Sequence, residues 1–535
     1  MDRKLLRNYI FTIAKYLYTV TMAVLVFFHT WTKKYTFTII LEVLAVLLLT
    51  NLLAEKKVLK NIVNDVLMLL INIQVLVLYF ANSYITIVML TNVDSLEDLS
   101  GKVVPYSIGV ILVLFFSFIP ATPFKITKER VYQGIAGILA VELLFTMIYS
   151  GIYSPLFGYV NIYLQKADRD KRMSDLDMTD DKTHVFYKDG VGDYISKPSE
   201  LGDNPNVVLV MTEGLSQNVI DDERVIMPNV KAFQDDAITF RDYYNHSFAT
   251  YRGIIGQLYS GFQMENYDDN TLISIEEILR EKGYYTCFIN TEPNNEEFTE
   301  YLESLEFDEV IGEKGEYEGK ANSLSDKQAY ETLYNVIEEA EKKDAPYFVV
   351  IYTFGTHLSL DSPNETFEKG DNPMLNKFYD TDYQFGQFFN EFKNSSMSDN
   401  TLFVFTADHC TYGDQDFQET FPDHPRYITL IDSMPLSLWY KGVEPQTINV
   451  NGKNSLNLAP TIMDMIDVDA PNYFLGTSLY NEAGCYYDSL YECTGLYYST
   501  KGAAIRELQD DERNAFADRV NEYFLAKTQE PVDQQ

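Results

Sequence analysis

Five apolar runs lie within the first 153 residues: Tyr9 to Trp31, Tyr35 to Leu53, Ile62 to Ala81, Val103 to Ile119 and Gly134 to Tyr153. Each approaches the roughly 20 residues that a helix needs to cross the hydrocarbon core of a bilayer. A secretory signal has one short apolar region, so five runs exclude that reading. As buried helices of a soluble domain they would demand an outsized core. Residues 1–153 are therefore expected to form a membrane domain of five helices.

The basic residues orient it. Arg3, Lys4 and Arg7 precede the first run, Lys56, Lys57 and Lys60 lie between the second and third, and Lys125, Lys128 and Arg130 between the fourth and fifth. The alternate loops carry Lys33 and Lys34, then Asp94, Glu97, Asp98 and Lys102. Three basic clusters on one side make that side cytoplasmic by the positive-inside rule, with Lys33 and Lys34 counting against it. Five crossings from there put everything after Tyr153 outside the cell. Within or near the spans, Glu42, Asp65 and Glu142 are ionisable groups that the sequence alone leaves unpaired.

Charge divides the chain at the same point. Residues 1–153 hold 13 basic and 9 acidic residues, whereas the rest hold 29 and 69. The formal net charge of -36 is the opposite of the basic footprint that nucleic-acid binding requires, so no nucleic-acid partner is expected. Residues 154–203 are polar and charged and are expected to form a connecting arm. From residue 204 to 535, short apolar runs rich in β-branched and aromatic residues alternate with helical stretches. "NVVLVM", "YYTCFI", "YFVVIYTF" and "TLFVFT" are such runs. Strands of this kind are buried on both faces, which predicts an α/β domain with a mostly parallel sheet.

Such sheets bind ligands beyond the C-terminal ends of their strands. Thr212 and Glu213 follow the first run, Gly355, Thr356 and His357 the third, and Ala407, Asp408 and His409 the fourth. Carboxylates and an imidazole converging on one edge suit Zn²⁺ or Mn²⁺. Singly, Glu213 reads as a helix-start carboxylate and His357 as a loop histidine; the joint pattern carries the argument. The segment "NHSFATYRGIIGQLYSGF" offers Ser247, Thr250 and Ser260 as hydroxyls, and spacing does not choose among them or exclude a helix cap. Of four cysteines, Cys485 and Cys493 are near enough in sequence to bridge, while Cys287 and Cys410 read as buried thiols.

With these residues assembled, the chain resembles the lipoteichoic acid synthases and related phosphoglycerol or phosphoethanolamine transferases of the alkaline phosphatase/sulfatase superfamily. "NVVLVMTEG" is similar to that family's first strand, "MPNVKAFQDDAITFRDYYNHSFAT" to the run into its nucleophilic threonine, "FGTHLSLD" to a histidine segment that contacts substrate, and "FTADHCTYGD" to its Asp-His metal pair. "LNLAPTIMDMI" and "GTSL" resemble the superfamily's closing segment.

The resemblance implies a membrane-anchored, extracellular sulfatase-like enzyme of a bacterial cell membrane. It would move phosphoglycerol, or a similar phospho-alcohol, from a phospholipid such as phosphatidylglycerol to an envelope polymer or glycan. It implies one divalent ion, Mn²⁺ before Mg²⁺ or Zn²⁺, held by Glu213, Thr250, Asp408 and His409, with Thr250 as nucleophile and His357 as catalytic and substrate-side residue. Where relatives carry a Trp-Asn-Arg stretch, this chain reads "NTEPNNEEF". Arg252 is then expected to supply the missing positive charge, and His424 a second substrate-side imidazole. No C/S-x-P-S-R motif is present to give formylglycine. A hydrolase or phosphodiesterase using the same site is the alternative.

Overall fold

The structure, a computed structural model, describes the chain except for residues 1–2, 30–32, 92–101, 150, 177–181, 320–321, 359 and 529–535. The end of the first apolar run at Trp31 and the loop carboxylates Asp94, Glu97 and Asp98 lie outside the described residues. The chain forms two compact units. One comprises Met1–Val93, Lys102–Asp168 and Gly413–Thr429; the other Asp94–Gly101, Arg169–Tyr412 and Leu430–Gln535.

In the first unit, Arg3–His29, Lys34–Leu52, Lys57–Ala81 and Lys128–Ile148 are helices long and apolar enough to cross a membrane. The fourth run forms a shorter helix, Val103–Ser117, of 15 residues. It stops before Ile119 because that residue precedes Pro120, whose ring disfavours a helical neighbour. Ala23, Val26, Ile39, Met68, Ile71 and Leu78 form the apolar seam between the first three of these helices. Several polar groups inside the bundle find partners there. Lys15 Nζ donates to Asp65 Oδ1 at 2.6 Å and to the carbonyl of Ile119 at 3.0 Å, and Thr19 donates to Asn72 Oδ1 at 2.6 Å. Glu42, unpaired by sequence, accepts from the Ser154 hydroxyl and from the backbone N–H of Leu156 at the start of helix Pro155–Asp175.

The second unit is built on an eight-stranded sheet: β1 (Asn206–Thr212), β2 (Ile238–Arg241), β3 (Tyr285–Ile289), β4 (Glu309–Ile311), β5 (Tyr347–Thr353), β6 (Thr401–Ala407), β7 (Leu436–Trp439) and β8 (Gln446–Asn449). Their order is β4-β3-β5-β1-β6-β7-β2-β8. β1 pairs in parallel with both β5 and β6, and only β7 runs antiparallel to its neighbours. A mostly parallel sheet is thus what the alternating runs produce. Every residue of β5 and β6 is buried, because helices cover both faces.

Helix Pro373–Asn394 shows how one face is covered. Phe385, Phe388, Phe389 and Phe392 recur at helical spacing and meet Phe403 of β6 with ring centroids 5.3 to 6.4 Å apart. Burying each ring contributes about 2 kcal/mol by area. Beyond the main sheet, β9 (Leu490–Cys493), β10 (Leu496–Lys501) and β11 (Ala504–Glu507) make an antiparallel sheet. Helix Asp510–Thr528 packs Phe516, Tyr523 and Phe524 on Phe262 and Leu456. All four cysteines are free thiols, so Cys485 and Cys493 do not bridge: the Cys493 thiol donates to the carbonyl of Phe248 and the Cys485 thiol to that of Leu475.

Candidate metal centre

β1 and β6 lie side by side and in register, Thr212 opposite Ala407. Their C-terminal ends therefore deliver Glu213 and Asp408–His409 to one point. Ligand atoms from these three residues all lie within 4.8 Å of one another, and all three residues are buried. Asp408 is held by backbone: Oδ1 accepts from Gly214 N–H at 2.8 Å and from His409 N–H at 2.6 Å. Asp408 Oδ2 stays without a hydrogen-bond partner among the described residues.

The imidazole of His409 is fixed from its far side. Its Nδ1 lies 2.7 Å from the carbonyl of Cys410. A carbonyl only accepts, so Nδ1 carries a hydrogen and Nε2 is the nitrogen turned toward the carboxylates. That Nε2 faces Glu213 Oε1 at 3.4 Å and Asp408 Oδ2 at 3.5 Å. The Phe248 ring packs on the imidazole, centroids 4.3 Å apart, and limits its rotation.

Two carboxylates buried this closely need a positive charge between them. Burial, the largest single influence, would favour neutral Glu213, yet the field and hydrogen bond of His409, with His357 and Asp408, together hold the carboxyl down at about 2. Burial would likewise discharge His409, but Asp408 and Glu213 carry the imidazole up to about 9. Asp408 bears the residual cost, pushed up by burial and by Glu213. A proton on His409 thus occupies the electrostatic place of a cation. The orphaned Asp408 Oδ2, the aimed Nε2 and the mixed oxygen–nitrogen set all fit a divalent metal ion.

Thr250 opens helix Thr250–Leu258, and its hydroxyl donates to Glu213 Oε2 at 2.9 Å. Ser260, by contrast, donates to the carbonyl of Leu456 and accepts from Gly476 N–H. Ser247 is wholly buried, whereas Thr250 retains 9% exposure. Of the three hydroxyls left open by spacing, Thr250 is the one at the cage.

Sequence comparison agrees with this geometry. Residues 205–468 match the Sulfatase family. The chain carries a sulfatase-family domain. Lipoteichoic acid synthase 2 of Bacillus subtilis (strain 168) is 23% identical over 311 residues, covering 51% of this chain and 46% of that relative, so the match spans about half its length. A solved alkaline phosphatase superfamily protein from Vibrio parahaemolyticus shares the fold, with a TM-score of 0.51 and 20% identity over 62% of this chain and 89% of that one. The lipoteichoic acid synthase LtaP from Listeria monocytogenes matches with a TM-score of 0.49 and 17% identity, covering 62% and 94%. These identities show the fold alone, and the cage of Glu213, Asp408 and His409 lies within the matched residues.

Within the sulfatase-family domain the remaining expected residues disperse. His357 follows β5, half-buried and stacked on Phe354 with centroids 4.7 Å apart. Arg252 is fully buried: its guanidinium donates to the carbonyl of Met264 at 3.4 Å and lies in the field of Glu492. Two residues on, roughly half a turn of helix, its side chain points away from the face on which Thr250 opens. His424 is exposed and lies in 413–429, a stretch of the first unit.

Two supports, Gln257 and Gly253, went unseen in the sequence, and a third, Thr356, was seen without its role. Gln257 Nε2 donates to the carbonyls of Gly253, Ala407 and Asp408, each at 3.1 Å, stitching the threonine's helix to the end of β6. The Thr356 hydroxyl donates to the Glu213 carbonyl. Gly253 lets that helix approach closely: an added Cβ would lie 2.3 Å from the Asp408 carbonyl oxygen. A buried glutamine and a helical glycine have no local pattern that sets them apart from ordinary packing.

Proposed function

We propose that this protein is a membrane-anchored, metal-dependent transferase that moves phosphoglycerol, or a similar phospho-alcohol, from a phospholipid to an envelope polymer or glycan. The observation that carries the reading is the Thr250 hydroxyl hydrogen-bonded to a buried carboxylate of an oxygen–nitrogen cage. Glu213, Thr250, Asp408 and His409 would hold one divalent ion, Mn²⁺ in the first place and Mg²⁺ or Zn²⁺ otherwise. When bound, the ion supplies Lewis-acid charge that lowers the pKa of the hydroxyl and offsets the acidic field of the domain.

The chain's own residues do the rest. Glu213 Oε2 orients Thr250 Oγ1, which releases its proton to solvent and attacks the donor phosphorus. The bond from phosphorus to the diacylglycerol oxygen breaks, and His357 protonates that oxygen as it leaves. An acceptor hydroxyl then attacks the phosphothreonine, and the Thr250 oxygen departs with a proton. An apolar helical anchor keeps such a site near a donor that never leaves the bilayer. By the positive-inside rule the basic clusters support an extracellular catalytic unit on a bacterial membrane. Burial of Arg252 favours a second reading, a phosphodiesterase or sulfatase-like hydrolase with water as acceptor, since the cation expected to grip phosphoglycerol is withdrawn.

The test is incubation of the purified full chain with Mn²⁺ and headgroup-labelled phosphatidylglycerol. Release of diacylglycerol with label passing to an added glycan or glycerol-phosphate acceptor supports transfer; label appearing only as free glycerol phosphate supports hydrolysis. Intact donor contradicts both.

A further inference from the structure

Helix Pro373–Asn394 turns one face to the loop that leaves β5. Lys377 and Thr381 lie one turn apart on it, at i and i+4. Lys377 Nζ donates to the carbonyl of His357 at 3.0 Å. The Thr381 hydroxyl donates to Asp326 Oδ2, and Asp326 Oδ1 accepts from the N–H of Gly355 at 2.9 Å. Between these two fixed points the Thr356 hydroxyl reaches the Glu213 carbonyl. Both ends of Gly355–His357 are thus held from a single helix, one directly and one through Asp326, while its middle is held at the cage.

The imidazole of His357 is fixed less directly. Its ring stacks on Phe354, planes 11° apart, but its Nδ1 is buried without a hydrogen-bond partner among the described residues. His409, by contrast, is oriented through Nδ1 by a carbonyl. A histidine that presents one ring nitrogen ordinarily takes its direction from a bond at the other. Here the direction comes from the backbone. The His357 N–H donates to the Phe354 carbonyl at 3.1 Å, and the His357 carbonyl accepts from Leu360 N–H at 3.2 Å as well as from Lys377. Those two amides belong to the loop itself; the ammonium comes from outside it. Lys377 is 3% exposed, and a buried ammonium needs oxygen atoms close by. It takes this one from the loop.

We propose that Lys377 is a positioning residue for His357: its ammonium, donating to the His357 carbonyl, holds the imidazole where it protonates the departing oxygen of the donor. The inference rests on the phosphodiester chemistry proposed above, with His357 as its acid, and holds for either acceptor. An alkoxide such as that of diacylglycerol needs the proton as it leaves, whereas 4-nitrophenolate departs without it. Misplacing the acid by about 1 Å therefore slows only those substrates whose leaving group is poor.

The test uses the Mn²⁺-loaded full chain in detergent and two soluble diesters, methyl phenyl phosphate and methyl 4-nitrophenyl phosphate. Lys377→Met should lower kcat/KM about tenfold or more on the phenyl diester and stay within about twofold on the 4-nitrophenyl diester. Lys377→Arg, which keeps a donor, should recover most of the loss. His357→Ala should show the same selectivity, and combining it with Lys377→Met should cost no more than His357→Ala alone. Equal loss on both diesters, no loss, no recovery with arginine, or losses that multiply in the combined variant overturn the inference. Should Lys377→Met not fold, Lys377→Gln, which falls short of the carbonyl, carries the same comparison. A wild type that cleaves neither diester overturns the phosphodiester reading instead. Hydrogen exchange at the His357 and Leu360 amides then judges Lys377: quickening in Lys377→Met with restoration in Lys377→Arg supports it, and unchanged exchange overturns it.

Discussion

Glu276 shows what burial costs a single residue when no charge answers it. It lies in helix Ile275–Glu281, fully buried, and desolvation pushes its carboxyl up to about 8. The folded state therefore keeps a proton that the unfolded chain releases near pH 4.5. Stability from this group is present below that pH and is lost as pH rises through about 8. Glu276→Gln should match wild type in thermal melting of the full chain at pH 4 and exceed it at pH 8.5, by an amount on the order of a few kcal/mol. Equal melting at both pH values would mean that the carboxyl is solvated. Its opposite is the caged pair Glu213 and Asp408, where His409 supplies the answering charge. The pair and its imidazole were legible in the sequence because each follows a strand run directly. Arg252, expected on the substrate side, is buried here, and sequence spacing from Thr250 does not say which way a helical side chain turns.

At the scale of elements, the centre depends on how closely helix Thr250–Leu258 approaches the end of β6. Gly253 permits that approach and Gln257 secures it with three hydrogen bonds. Gly253→Ala places a methyl 2.3 Å from backbone that cannot rotate aside. We expect it to weaken metal binding about tenfold or more, read by titration calorimetry, even though alanine favours helix by about 1 kcal/mol. Unaltered affinity would show that the helix can shift without disturbing the cage. The strands were readable from continuous apolar runs, as was the parallel sheet from their alternation with helices. The short β7 and β8, four residues each, were not: their pairing depends on neighbours remote in sequence. The helix that stops at Ser117 shows that an apolar run exceeds its helix when proline ends it.

For the whole molecule, apolar length revealed the anchor, whereas its polar interior could be known only once the helices were packed. Lys15 and Asp65 are 50 residues apart and carry no joint pattern, yet they pair at 2.6 Å. The excursion of 413–429 into the anchor unit was equally hidden, because its sequence reads as an ordinary polar loop. Reporters fused after Lys60 or Arg130 should read cytoplasmic and one after Gln535 extracellular; a cytoplasmic C-terminus would reverse the orientation drawn from the basic clusters.

The most direct measurement is the mass of the peptide containing Thr250 after brief mixing of the Mn²⁺-loaded full chain with phosphatidylglycerol. The account predicts a phosphoglycerol adduct on Thr250, absent from Thr250→Ala, which should fold and bind metal but lose nearly all turnover, and partly retained on the serine of Thr250→Ser. An adduct on Ser247 or Ser260, or normal turnover by Thr250→Ala, would contradict it.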